Sequence, residues 1–263
     1  MITLTSAELH TWIASLLWPL TRIIGVLSVA PLFGNASVPA RVKIGLGILL
    51  AMVIAPSVPA VPATDPMSWA GLLILLQQLV IGLAIGFAMR IVFAGVEMAG
   101  EITGMTMGLG FATFFDPQTR GRSSAISQFL ALLMLMIYIS SNLHLLVLST
   151  LAQSFEMLPI SGSFVSNGGF LQVVSLGGRI FSAGVQLSLP IVAALLITNV
   201  ALGILTRAAP QLNIFGIGFP VTIGVGFIMI GAVLPYLTNP MIHLIQEGIE
   251  AMGRITMAFT PLN

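Results

Sequence analysis

Between Arg207 and Glu247 the chain runs for 39 residues without a single Lys, Arg, Asp or Glu. As one straight helix that run would reach roughly 58 Å at 1.5 Å per residue, about twice the hydrocarbon thickness of a bilayer. It therefore has to bend, break or fold back. Pro210, Pro220, Pro235 and Pro240 mark the places, because each removes a backbone donor and clashes with the preceding turn. Pro190 does the same within the uncharged run 180–206. Further uncharged runs cover 23–40, 44–64, 66–89, 123–155 and 157–178. With 9 Lys+Arg and 8 Asp+Glu the chain is 6% charged, which cannot cover a water-facing surface. The hydrophobic share of 57% places it in the membrane class and excludes a free cytosolic enzyme or a disordered chain. A formal net charge of +1, spread thinly, leaves no footprint for nucleic acid.

The runs predict helices at about 8–30, 42–56, 68–108, 123–152, 171–206 and 214–256. The fold expected is all-α: one unit, 1–263, of membrane-associated helical hairpins with kinked and interrupted hydrophobic helices. Lipid tolerates only helices or closed barrels, and the runs lack the period-2 alternation of barrel strands. Val58 to Pro66, with Pro56 before it, reads as a stiff extended connector. Arg41 and Lys43, Arg120 and Arg122, and Arg207 fall at the first, third and fifth connections, and the second and fourth have none. That asymmetry predicts odd-numbered connections in the cytoplasm and both termini outside. Glu8 stands where a signal peptide would carry positive charge, and the first basic residue is Arg22, so the N-terminus reads as mature.

Catalytic signatures are missing from the sequence. His10, His144 and His243 are far apart, the aspartates are only Asp65 and Asp116, and there is no cysteine. Neither a nucleophile elbow nor a phosphate loop occurs, so no enzyme, cofactor or metal centre is expected. The informative stretch is Arg90 to Arg122. Arg90, Glu97 and Glu101 share one helical face and read as a buried charge stripe, either a salt-bridged structural feature or a contact for a partner or conduit. Gly100, Gly104 and Gly108 recur every four residues on the same helix, followed by Gly110. They serve either a close-packing seam or a soft, movable segment. Phe111, Phe114 and Phe115 then precede an Asp116-Pro117 turn, and spacing alone does not say whether their rings fill a core or a lumen. From Met241 to Phe259, His243, Glu247, Glu250 and Arg254 face one side of an amphipathic tail, either interfacial or docked on a partner.

Five motifs in order carry a resemblance. Arg22 with Ala30-Pro-Leu-Phe33 and Val38-Pro-Ala-Arg-Val-Lys43 comes first, then Glu97-Met-Ala-Gly-Glu-Ile-Thr-Gly104 and Phe115-Asp-Pro117. Asn142-Leu-His144 and Arg207-Ala-Ala-Pro-Gln-Leu-Asn213 complete the series. The chain closely resembles the FliR family, the R subunit of the flagellar type III secretion export gate, with injectisome counterparts. The resemblance implies one R subunit assembling with several copies of FliP and FliQ into a cone-like helical export channel in the bacterial inner membrane, at the flagellar basal body. It implies FlhB and FlhA as further partners and unfolded flagellar proteins as the cargo. The loop of Phe111, Phe114 and Phe115 matches the family's channel plug. Arg22, Asn142, His144, Arg207, Gln211 and Asn213 become partner or packing contacts. A secondary transporter of a small solute is the alternative, since broken helices beside charges also mark transporters, but no internal repeat supports it.

Overall fold

The structure, a computed structural model, describes residues 6–35, 37–59, 61–111, 124–209 and 214–261. Seven helices occur among them. These are α1 (Ser6–Val29), α2 (Ala40–Ile54), α3 (Trp69–Thr106), α4 (Ala125–Ser140), α5 (Leu143–Met157), α6 (Gly168–Ala208) and α7 (Phe219–Ala258). Short 3-10 turns cover Ala55–Ser57 and Leu109–Phe111, and a π turn covers Ile214–Gly218. No strand is present among the described residues, and the all-α expectation holds. Four helical stretches are long and apolar enough to cross a membrane: Ala40–Ser57, Trp69–Thr106, Gly168–Ala208 and Gly216–Ala258.

One expectation needs correction. The helix expected at 123–152 is two helices, α4 and α5, divided at Ser141 and Asn142. Asn142 has φ 56, a left-handed conformation that asparagine tolerates better than most residues and that a helix cannot continue through. As the expected ranges 171–206 and 214–256 implied, α6 runs through Pro190, and α7 runs through Pro235 and Pro240. Each proline forfeits one hydrogen bond of the ladder, and ending the helix there would leave several backbone groups unpaired in apolar surroundings. Pro220 sits in the first turn of α7, where its missing N–H costs nothing. At 41 and 40 residues, α6 and α7 each extend about 60 Å at 1.5 Å per residue, well beyond a hydrocarbon core.

The chain forms two compact units. The first comprises Met1–Ile91, Asn142–Gly177 and Ile245–Asn263, and the second Val92–Ser141 and Gly178–Leu244. Chain order explains the division: α3, α6 and α7 each contribute to both, and the break between α4 and α5 is also a unit boundary.

In the first unit, α1 lies against the first part of α3 across glycines. A Cβ at Gly25 would stand 2.8 Å from the Leu79 carbonyl oxygen, one at Gly86 2.8 Å from that of Val26, and one at Gly82 would collide with that of Arg22. Backbones this close gain dispersion contacts along the whole seam. Trp18, Ile23, Leu27, Ile81, Ile85 and Met89 are fully buried around it. The end of α7 is amphipathic as expected, but its apolar face docks on its own chain. Ile245, Ala251, Met252, Ile255 and Phe259 point inward, while Gln246, Glu250 and Arg254 face out. The Phe259 ring meets Phe170 edge-on at 5.1 Å, and the Ser166 N–H donates to the Phe259 carbonyl at 3.0 Å.

In the second unit, Phe93 meets Tyr138 edge-on at 6.0 Å, and a Cβ at Gly95 would stand 3.0 Å from that of Ala183. The inward stripe of α6 is Ala183, Leu187, Ile191 and Leu195, four residues apart. Its opposite side is just as apolar: Phe181, Val185, Leu189, Leu196, Val200 and Ile204 are all more than half exposed. A helix that is hydrophobic all round is one that lipid or another protein surrounds.

The α1 seam makes a testable contrast. Gly82→Ala should destabilise by about 1–3 kcal/mol, the usual cost of forcing an atom into a packed interface. A Cβ at Gly253, also in the first unit, meets nothing within 4 Å, so Gly253→Ala should gain about 0.4–1 kcal/mol. Thermal melting of the detergent-solubilised protein measures both, and equal responses would contradict the seam.

Candidate functional site

Helix α3 ends at a glycine. Gly108 has φ +87, the conformation that lets a chain leave a helix, and its N–H bonds the Met105 carbonyl at 3.0 Å. The turn Leu109–Phe111 follows. Phe114, Phe115, Asp116 and Pro117 lie outside the described residues, as do Gln211 and Asn213. The chain is described again at Ser124, the N-cap of α4, whose hydroxyl accepts from the Ser127 N–H at 3.1 Å.

The two ends of this connection are tied together. Glu101 Oε1 accepts a hydrogen bond from the Ser124 N–H at 2.7 Å, which puts a carboxylate where the first turn of α4 presents unsatisfied N–H groups. The Ser127 hydroxyl donates to the Glu97 carbonyl at 2.8 Å. Gly100 and Gly104 make these bonds possible. A Cβ at Gly100 would collide with the backbone of Ser127, and one at Gly104 would stand 3.2 Å from Ser124 Oγ. The α3 end is held in turn by α7: the Thr222 hydroxyl donates to the Met107 carbonyl at 3.1 Å, and a Cβ at Gly108 would meet the Phe219 ring at 2.8 Å.

Arg90, Glu97 and Glu101 do not form a uniformly buried stripe within this chain. Glu97 and Glu101 are half-buried, whereas Arg90 is exposed. All three share a face of α3; α4 packs beside the glutamates, and Arg90 stands one turn from the exposed Phe87.

A second constellation surrounds Arg22, which has no exposed surface. Its Nε donates to Gln78 Oε1 at 2.8 Å, one terminal nitrogen donates to the Ser154 carbonyl at 2.8 Å and approaches Ser154 Oγ at 3.3 Å, and the other donates to the Leu158 carbonyl at 2.9 Å. The guanidinium lies 4.3 Å from the centre of the Phe155 ring. Helix α5 ends at Met157, so two of these acceptors are C-terminal carbonyls, the negative end of the helix dipole. One α1 side chain thereby satisfies α5 and fixes it to α3 through Gln78.

The sequence profile described as bacterial export proteins, family 1, matches residues 13–248. The chain is 41% identical over 257 residues to the flagellar biosynthetic protein FliR of Escherichia coli (strain K12), covering 97% of each. It is 40% identical to that of Pectobacterium carotovorum subsp. carotovorum, again over 97% of each. With the FliR of Bacillus subtilis (strain 168) identity is 32%, covering 89% of this chain and 91% of the relative. The chain belongs to the FliR family. It is thus a member of a flagellar biosynthesis and export family, whose names describe no enzyme. Both constellations lie inside the matched FliR region.

Of the other residues singled out, Asn142 is exposed at the break before α5 and His144 is half-buried in its first turn. Arg207 is exposed in the last turn of α6, where a cation favours the helix dipole. Among the described residues no group of His, Asp or Glu has the arrangement of a metal site. Reading the sequence missed Gln78, Ser154 and Ser124. The available signal was scarcity: a Gln or Ser inside an apolar run needs a partner, and Arg22 was the cation without one.

Arg22→Ala would leave Gln78 Oε1 and the Leu158 carbonyl without their donor, at about 1–3 kcal/mol each, and should deplete the protein from membranes. Arg22→Lys should fail nearly as badly, because an ammonium cannot span Gln78, Ser154 and Leu158 together. Immunoblotting of membranes and thermal melting check this, and a wild-type level with lysine would contradict the capping account.

Proposed function

We propose that this chain is a noncatalytic subunit of the flagellar type III protein export gate, forming with FliP and FliQ the channel by which unfolded flagellar proteins cross the inner membrane at the basal body. The observation that carries the reading is membership of the FliR family over 97% of the chain. The apolar outer side of α6 supports it, since so much uncovered surface suits a component enclosed by other subunits. FlhB and FlhA are the further partners proposed. The driving energy comes from elsewhere, as the sequence holds no nucleotide-binding motif.

The loop from Gly108 to Gln118 acts as the plug in this reading. A pore wide enough for an unfolded chain must hold back ions when idle, and a ring of apolar side chains does so by dewetting the constriction. Phe111, Phe114 and Phe115 supply the rings, and Asp116 with Pro117 anchors the far end as a turn. Gly100 and Gly104 belong to the scaffold that carries the loop.

Two outcomes test this. Coexpression with FliP- and FliQ-like subunits should yield one detergent-stable complex from a chain that aggregates alone, and a well-behaved monomer without partners would count against the reading. Phe114→Ala combined with Phe115→Ala should raise ion conductance of the assembled complex while leaving assembly intact. Loss of the complex, with no leak through what remains, would return these rings to an ordinary core.

A further inference from the structure

In the first unit α1 and α3 run side by side in the same direction. A Cβ at Gly82 would strike the Arg22 carbonyl and one at Gly86 would stand 2.8 Å from that of Val26, so both contacts join residues sixty apart in sequence. Helix α2 returns along α1, where a Cβ at Gly47 would meet Ile24 at 3.1 Å and Leu20 at 3.4 Å. Its first turn, with Arg41 and Lys43, therefore lies at the end of α1, beyond Val29. By the register of α1 on α3, that end is level with Arg90. Three cations from two helices share one level, with Arg41 and Arg90 exposed and Lys43 half-buried.

From this level back to the start of α3, the outward side of the helix is a single apolar stripe. Trp69, Leu73, Leu76, Val80, Leu83 and Phe87 recur every three or four residues, none of them is buried, and the next step of the stripe is Arg90. Trp69, at the far end, is 77% exposed. It stands 21 residues from Arg90, about 31 Å at 1.5 Å per residue, against about 30 Å for a hydrocarbon core. The exposed Leu49, Met52 and Val53 of α2 fall within the same interval. Charge is divided between its ends. The one acid of residues 9–96 is Asp65, exposed at the Trp69 end, where its carboxylate accepts from the Met67 N–H at 2.9 Å. Of the cations in that stretch, Arg22 is buried and the other three stand at the opposite end.

We propose that this side of the first unit faces the bilayer itself, with Arg41, Lys43 and Arg90 among the anionic phosphates of one leaflet and Trp69 at the opposite interface. A protein partner would place no demand on the distance between an indole and a cation. A bilayer does: it ends an apolar stripe after about 30 Å, offers phosphate where the cations lie, and favours an indole at the other boundary. The cytoplasmic leaflet is the more anionic and attracts Lys and Arg, which places the turn between α1 and α2 on the cytoplasmic side. An assembly in a membrane still meets lipid on some side, and this one carries the marks of it. The inference needs a bilayer but neither the plug nor a particular partner.

The chain has no cysteine, so a nitroxide on a single engineered cysteine reports one position at a time. The gate, assembled with its partner subunits, is reconstituted into vesicles of phosphatidylethanolamine and phosphatidylglycerol. Labels at Leu73, Leu76 and Met52 should collide readily with oxygen, which concentrates in hydrocarbon, and rarely with a water-soluble nickel chelate. Labels at Trp69 and Arg90 should shift toward the chelate. Shielding of Leu73 and Leu76 from both reagents means protein cover, and access of the chelate to them means water; either would overturn the proposal. In a second arm, Arg41→Gln, Lys43→Gln and Arg90→Gln together should cut the phosphatidylglycerol that copurifies with the gate by about threefold or more, read by lipid mass spectrometry. An unchanged content would overturn the headgroup contact. If the triple variant does not assemble, the label profile with the native charges still decides. Protein cover would sink this inference and leave the export reading standing. A lone chain that shows the lipid profile but never joins FliP and FliQ would do the reverse.

Discussion

A guanidinium with no exposed surface, and with no carboxylate among its partners in the described residues, holds the first unit in register. Arg22 is compensated by an amide oxygen, by the carbonyls that end α5 and by the face of Phe155, so its charge is spread over dipoles. Such an arrangement works only when every donor is matched, because a buried cation left unpaired costs several kcal/mol. That demand dictates much nearby. Gln78 must turn toward α1, α5 must stop at Met157 with Ser154 and Leu158 presented to α1, and α1 must lie close enough to α3 for Gly82 to rest on the Arg22 carbonyl. A chain this poor in charge uses one cation where a soluble protein would use a polar surface.

Glycine makes the same economy on the apolar side. At Gly25, Gly82 and Gly86 in the first unit, and at Gly95, Gly100 and Gly104 in the second, the missing side chain is replaced by a neighbouring backbone or a short side chain. What these seams leave uncovered is as informative as what they bury. The outer stripe of α6 from Phe181 to Ile204 spans 24 residues, about 36 Å at 1.5 Å per residue, and carries no charge. A bilayer core accounts for most of such a length but not for all of a 41-residue helix. Neighbouring subunits are what the account proposes for the remainder.

The helices were legible because uncharged runs longer than a bilayer leave the backbone no alternative. The helices run on through Pro190, Pro235 and Pro240, as the expected ranges 171–206 and 214–256 did, because a lost hydrogen bond is cheaper in apolar surroundings than a lost helix end. Run-length reasoning missed the division at Asn142, since a single left-handed residue leaves no trace in hydropathy. The charges of α3 share one face, but a face does not reveal what packs beside it, so Arg90 and Glu101 fall in different surroundings. The family was legible from five short motifs in order, two of them now seen as structural. Arg22 organises a core, and the Glu97 to Gly104 stretch is the side of α3 on which α4 rests.

The central claim is that this chain is an incomplete structure whose apolar exterior belongs to an assembly. Site-specific photo-crosslinkers at Val185, Leu189 and Val200, introduced one at a time into cells that export flagellar proteins, test it directly. The account predicts adducts with other protein chains of FliP or FliQ size at more than one of these positions. Adducts with lipid alone at all three would contradict it, and would make the outer side of α6 an ordinary lipid-facing surface.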